Sequence, residues 1–320
     1  MGSGTRLIDV GEVDPVTSQA LYHAVTRSVA STDQDDTVIL ARPAAPYASL
    51  GYHYSLAVVD LEYCDEENLP VFRRRIGGGL VYLDRDQLFV QFCIEGLPRY
   101  RGAAYERLMT PLVETLDELG LEGGLSDGFD LTANGRKIGG IGAGEIDGAS
   151  AVTTGLLFDF DWQRATDIHD TPTPAFRRQL LSTMRSRVTT LTRECPRRPA
   201  WEYVKTRLWE HLMAELPTTY QGDLTAHEYA LIEKERERLR SDEFLHLIDQ
   251  PPTERRVKVT DGVFLRLVQV PAEAGYTQVV LEERDQTVAD VRTLDGERPP
   301  MAGDLRGESV ETAVDRLTES

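Results

Sequence analysis

Arg73, Arg74 and Arg75 run directly into Gly77, Gly78 and Gly79, and the strand-like LVYLDRDQLFVQF follows at once. Consecutive glycines carry no side chains, so several backbone N–H groups can converge on one anion. Neighbouring guanidinium groups can then grip phosphate oxygens in bidentate fashion. A glycine-rich turn behind a surface arginine patch would have the same composition. The run is neither a Walker loop nor GxGxxG, so neither nucleotide-binding fingerprint applies. A second cationic position is Lys137 in FDLTANGRKIGG (129–140). Asn134-Gly135 is a hairpin signal, and Gly139, Gly140, Gly142 and Gly144 let another group approach the backbone. Lysine is a compact point charge that reaches a single oxygen, whereas arginine's planar fork needs a wider opening. A solvated hairpin lysine is the plainer alternative. Two glycine-lined, cationic strand ends together suggest one site for a phosphorylated or adenylated ligand.

Several elements must position these residues. Asp14-Pro15 supplies an N-cap and a first-turn proline, and Ala20, Leu21, Ala24, Val25 and Val29 then mark one helix face. Strands are expected at TVILA (37–41), YASLGY (47–52), VFRRRI (71–76) and SAVTTGLLFDFD (150–161). In QLFVQFCI both alternating registers are largely apolar, which predicts a central strand covered on two faces. Residues 104–119 read as a helix bent or broken at Pro111, and 199–216 as a helix with Trp201, Val204, Leu208 and Leu212 on one side. After a charged helix and Pro251-Pro252, the segments RRVKV, VFLRLVQV and YTQVVLEE and a closing helix predict a small separate α+β unit. The boundary is expected between residues 222 and 250, giving bodies of 1–222 and 223–320.

Composition narrows the class. A chain of 320 residues with 41% hydrophobic content can bury a proper core. There is no apolar run of membrane-spanning length and no basic-then-apolar leader, so a cytoplasmic protein is expected. The formal net charge of −18 argues against a nucleic-acid surface. Only four cations are lysines (Lys137, Lys205, Lys234, Lys258), leaving 31 arginines. Few lysines and a repulsive acidic surface suit a high-salt cytoplasm, where salt screens the repulsion; a halophile is expected ahead of a merely acidic mesophile. Cys64, Cys93 and Cys195 are too scattered for a disulfide framework or a zinc site. The six histidines share no spacing, and none is assigned to a metal.

Three motifs together resemble one family. RRRIGGGLVYLD…QLFVQF is similar to the RRxxGGGxVxHD…NxxFSF signature of lipoate–protein ligases and octanoyltransferases. FDLTANGRKIGG resembles the GRKIxGSA segment that carries that family's essential lysine, and MRSRVTTLTREC (184–195) resembles SVRSRVTNLxE. The resemblance covers residues 14 to about 216, and the trailing unit is similar in size and position to the ligases' accessory domain. It implies an α+β fold with a mixed or antiparallel sheet and flanking helices, plus a small C-terminal α+β domain. It also implies ATP-dependent formation of lipoyl-AMP, then transfer to a lysine of an acceptor lipoyl domain. ATP, Mg²⁺ and lipoate are the implied ligands. Acyltransferase subunits of 2-oxoacid dehydrogenases and the glycine-cleavage H protein are the implied partners of a monomeric enzyme.

By this resemblance, Gly77, Gly78 and Gly79 line the acyl-adenylate and Arg74 or Arg75 positions it. Lys137 sits at the carboxyl–phosphate junction, and Asp130 holds nucleotide or Mg²⁺. Leu80, Tyr82 and Leu157 flank the acyl tail, and Gly140 and Gly155 complete the binding set. This chain departs from the pattern at Leu83-Asp84, where the ligases read HD, and at Thr153-Thr154-Gly155, where they read HHG. Gly139-Gly140-Ile141-Gly142 likewise replaces SGSA, so the histidines and serines of that pattern are absent. Acyl transfer without ATP uses a cysteine to carry the acyl group, and neither place for it holds one here. KIGGIGAGE (137–145) resembles the biotin ligases' KxxGILxE, but their GRGRxGR is replaced by RRRIGGG. A non-catalytic scaffold for lipoyl domains is the third alternative, and retention of Lys137 counts against it. The trailing unit is expected to close over the nucleotide.

Overall fold

The computed structural model describes the chain except residues 1–3, 33, 97–100, 127–129, 217, 252–254, 273–274 and 319–320. Phe129, in the motif before Lys137, and Pro252 of the proline pair thus lie outside the described residues. The chain opens with β1 (Thr5–Val13), α1 (Pro15–Ser31), β2 (Asp36–Pro43), β3 (Tyr47–Leu50) and α2 (Leu61–Glu66). It continues through β4 (Val71–Arg73), β5 (Leu80–Leu83), β6 (Gln87–Ile94), α3 (Arg101–Glu118) and β7 (Gly123–Leu125). Next come β8 (Leu131–Ala133), β9 (Arg136–Gly139), β10 (Gly142–Ile146) and β11 (Ala149–Leu157). Helices α4 (Trp162–Asp167), α5 (Pro174–Arg187), α6 (Leu191–Glu194) and α7 (Trp201–Glu215) follow, then β12 (Thr219–Gln221), α8 (Ala226–Leu239) and α9 (Asp242–Leu245). The last stretch holds β13 (Arg256–Thr260), β14 (Val263–Ala272), β15 (Gly275–Arg284), β16 (Thr287–Thr293), α10 (Ala302–Leu305) and α11 (Val310–Thr318).

The main sheet has the order β10-β11-β6-β2-β1-β12. It is mixed: β1 runs parallel to β2 and β12, while β2, β6, β11 and β10 pair antiparallel in turn. All eight residues of β6 are buried, as its two apolar registers predict. One face packs Val38, Val90, Phe92 and Val152 against Leu108, Leu112 and Leu116 of α3 and Leu208 and Leu212 of α7. The other face packs Ile39, Phe89 and Ala151 against Leu21, Tyr22 and Val25 of α1. The N-cap at Asp14 is present, its carboxylate accepting the Thr17 N–H at 3.2 Å. At Pro111 the helix is not broken, because α3 runs on through it. Proline removes only the donor that Arg107's carbonyl would accept, and the buried Leu108, Leu112 and Leu116 keep both halves on the core.

Two short sheets carry the motifs. β4-β3-β5 ends at the glycine run, and β7-β8-β9 presents the Asn134-Gly135 turn. Asn134 and Gly135 have φ of 50° and 71°, the left-handed pair that a type I′ hairpin demands.

The charged helix α8 packs on α1, burying Ile232 and Leu239 beside α1 residues. Two of its four glutamates are buried and paired: Glu228 with Arg6 of β1, Glu235 with Arg27 of α1. The expected border at 222/223 therefore precedes a helix that rests on the first body, and the separate sheet β13-β14-β15-β16 starts at Arg256. α10 and α11 cover one side of this sheet through Leu305, Ala313 and Leu317. On its other side Val259, Val263, Leu265 and Val280 join a core with Leu50, Leu80, Phe176 and Met184. The C-terminal unit thus packs directly against the elements that carry the glycine run.

Candidate active site

A cavity of about 210 Å³ opens where the glycine run, the β8-β9 hairpin, β11, α5 and β13 meet. Arg74, Gly78, Gly79, Leu80, Tyr82, Asp130, Lys137, Gly140, Gly155 and Leu157 all line it. Arg75 and Gly77, from the same expected set, do not.

Lys137 stands on β9 with its Nζ 2.9 Å from Asp130 Oδ1. The two are brought together by the tight turn, since Asp130 immediately precedes β8 and Lys137 pairs with Thr132 across the hairpin. Gly140 leaves room beside them: a Cβ there would lie 3.1 Å from Lys137 Nζ, and the lysine would have to shift. The other Asp130 oxygen, Oδ2, accepts the backbone N–H of Asp261 at 2.6 Å, across from the C-terminal unit. The third motif locks the hairpin from below. Thr189 donates its N–H to the Lys137 carbonyl at 2.7 Å, and Glu194 accepts from Asn134 Nδ2 at 2.9 Å and from Arg136 and Thr189. Burial alone would raise the Glu194 pKa, but the hydrogen bonds from Thr189 and Asn134 outweigh it and hold the carboxyl below its ordinary range.

The three arginines divide the work in a way their sequence does not show. Arg73 is fully buried, and its guanidinium donates to the carbonyls of Gly51, Tyr52, Tyr54, Phe244, Leu245 and Ile248. It ties α9 and the loop after β3 to the base of the glycine run. Arg74 folds the run itself: its Nη2 donates to Gly77 O at 3.0 Å and Gly79 O at 2.8 Å, and its Nη1 to Ser49 O at 2.6 Å. Gly78 has φ of +99°, and a Cβ on it would lie 2.6 Å from Arg74 Nη2. Arg75 reaches Asp147 Oδ1 at 3.1 Å, and its backbone N–H donates to His23 Nε2 at 3.2 Å. A free guanidinium cluster around an anion is thus not what the run provides. Its contribution is a shaped loop with Arg74 charge beneath it.

Further lining residues carried no sequence signal of their own. Leu83, Phe89, Phe160, Ala165, Met184 and Val188 extend the apolar wall that Leu80, Tyr82 and Leu157 begin. His169 also lines the cavity, although spacing gave it no role. Burial pushes its pKa down to about 4, and its Nδ1 lies 3.1 Å from the Ala165 carbonyl. It is a neutral part of the wall. Among the described residues no cysteine lines the cavity, and burial raises the thiol pKa of Cys64 and Cys93 to about 12.

The arrangement is a polar junction (Lys137, Asp130 and the glycine loop) opening on an apolar slot. It can hold an acid by its tail while its carboxylate meets a phosphate under fixed positive charge. Residues 14–213 match the family model described as the lipoyl protein ligase A/B catalytic domain. The chain belongs to this family. A lipoate–protein ligase of Streptococcus pyogenes is 28% identical over 131 residues, covering 40% of this chain and 38% of that relative's own length. The structure of a bipartite lipoate protein ligase from Thermoplasma acidophilum, described with its E2 lipoyl domain, matches with TM-score 0.69 and 20% identity over 78% of this chain and 99% of that one. A lipoate-protein ligase A bound with ATP matches with TM-score 0.65 and 19% identity over 77% of this chain and all of that one. At these identities the two structures establish the fold.

Proposed function

We propose that this chain is an ATP-dependent lipoate–protein ligase. In the first step the acid's carboxylate oxygen attacks the α-phosphorus of ATP. The new P–O bond forms as the bond to the β-phosphate oxygen breaks, and the electron pair leaves with pyrophosphate. In the second, a neutral lysine amine of a lipoyl domain attacks the acyl carbonyl, the C–O bond to phosphate breaks, and AMP and one proton depart. The observation that carries this reading is the Lys137–Asp130 pair on the wall between the glycine loop and an apolar slot. Lys137 offsets the repulsion between carboxylate and phosphate, and Asp130 keeps its ammonium aimed between strands.

Leu80, Tyr82 and Leu157 take the acyl chain, Gly78, Gly79, Gly140 and Gly155 offer backbone to the adenylate, and Arg74 supplies positive charge beneath the loop. Arg75 and Gly77 act from behind it. Among the described residues no three metal-binding side chains cluster, and Asp130 is the one carboxylate in the lining, with both oxygens engaged. That fits Mg²⁺ arriving on the nucleotide, held by phosphate oxygens with Asp130 alone in reach. Transfer without ATP is disfavoured by the buried, weakly acidic thiols. The acceptors are lipoyl domains of 2-oxoacid dehydrogenase acyltransferase subunits or of the glycine-cleavage H protein, met by a monomer in a halophile's cytoplasm.

The test is mass spectrometry of an acceptor lipoyl domain incubated with the protein and lipoate in high salt. Lysine lipoylation that requires ATP is expected. Modification from an acyl-carrier thioester without ATP, or none at all, would overturn the reading.

A further inference from the structure

Two of the chain's four lysines line the same cavity: Lys137 on β9 and Lys258 on β13 of the C-terminal sheet. A β-bulge lies between Lys258 and Thr260. Neighbouring residues of a regular strand face opposite sides, and a bulge re-aims them; here both Lys258 and Val259 reach the cavity. The lysine is only loosely committed. Its Nζ lies 3.2 Å from Asp261 Oδ1 and 5.9 Å from the Phe264 ring centre, and about a third of its side chain is exposed. Asp261 simultaneously gives its backbone N–H to Asp130 Oδ2, and Asp130 pairs with Lys137. One run of contacts therefore joins the two ammonium groups across the boundary between units.

The charges in the lining point to the ligand. Among the described residues, Arg74, Lys137 and Lys258 share the lining with one carboxylate, Asp130, in a chain whose formal charge is −18. Arg74 is committed to loop carbonyls and Lys137 to Asp130, so Lys258 is the lining cation most able to move onto an incoming anion. We infer that Lys258 contacts the polyphosphate of the nucleotide during acid activation, so that the C-terminal sheet supplies part of the adenylation site. This rests on the ligase reading above. A lysine suits the role, because a point charge on a flexible stem can leave Asp261 for a phosphate oxygen. Its importance should be confined to the first half-reaction, where the β- and γ-phosphates are present.

The experiment compares wild type, Lys258→Met and Lys258→Arg, in high salt, in two assays. One is lipoate-dependent ATP–pyrophosphate exchange over a range of ATP. The other is single-turnover transfer to a lipoyl domain from supplied lipoyl-adenylate. A lost charged hydrogen bond should raise the KM for ATP roughly 10- to 100-fold in Lys258→Met. Lys258→Arg should recover most of that loss, and transfer from supplied adenylate by Lys258→Met, which also reports its folding, should change far less. Exchange in Lys258→Met with wild-type KM for ATP would overturn the inference while leaving the ligase reading intact, and so would equal losses in both half-reactions. Failure of the wild type to exchange with any acid would instead remove the ligase reading, and this inference with it.

Discussion

Lys137 is useful because of what stands beside it. Paired with Asp130 at 2.9 Å, it holds a charge at the junction without being free to wander. Its removal should act on chemistry more than on folding, since its side chain is partly exposed. For Lys137→Ala, acid activation should fall by about 100- to 1,000-fold, as with loss of a preorganised charge-stabilising donor, with thermal unfolding near wild type. Asp130→Asn keeps the shape and removes the charge. The amide oxygen still accepts the Asp261 N–H, but Lys137 loses its partner. Steady-state kinetics should show kcat falling more than KM for ATP rises, because the residue aims Lys137 rather than holding the nucleotide alone.

At the scale of elements, the glycine run is braced by an arginine just before it and the β8-β9 hairpin by a glutamate from α6. Arg74 braces the run, and Gly78→Ala would place a methyl 2.6 Å from its Nη2 at a φ of +99°. Such a change should cost about 1–3 kcal/mol and sharply weaken lipoate binding, measurable by denaturant unfolding and calorimetry. Glu194 braces the hairpin. Glu194→Gln should loosen residues 134–137, seen as faster amide exchange there and a lower kcat.

These elements show what the sequence made legible. The Asn134-Gly135 turn, the doubly covered β6 and the order of the three motifs were readable, because turn chemistry and alternation act locally. The tasks of Arg73, Arg74 and Arg75 were not, because a carbonyl and a phosphate oxygen suit a guanidinium equally well. Tertiary position decides between them. The same holds for α8. Glu228 and Glu235 look solvated until Arg6 and Arg27, more than 200 residues earlier, are brought beside them. Lys258 gave no signal beyond its rarity, since its aim depends on a bulge and on a second sheet docking.

For the whole molecule, charge sets two expectations. A formal charge of −18 makes the folded state self-repulsive, so added KCl should raise the unfolding temperature by screening. A Tm unchanged from low to molar salt would contradict the proposal of a halophilic source. Acid should destabilise the protein through carboxylates like Glu235. Burial opposes its charge, but the His23 contact and the Arg27 ion pair outweigh this and bring its pKa down to about 2. A carboxyl depressed on folding contributes its full stability above the unfolded pKa, near 4.5, and loses it as pH falls toward 2. Glu235→Gln should therefore be less stable at neutral pH and show a shallower loss between about pH 4.5 and 2 in urea melts.

The most direct measurement is ATP–pyrophosphate exchange by the purified protein in high salt, with lipoate, octanoate, biotin or no acid, beside Lys137→Ala. Exchange that requires lipoate or octanoate and disappears in Lys137→Ala is expected for acid activation at this junction. Exchange that persists in Lys137→Ala, or no exchange with any acid while acyl transfer proceeds without ATP, would contradict it.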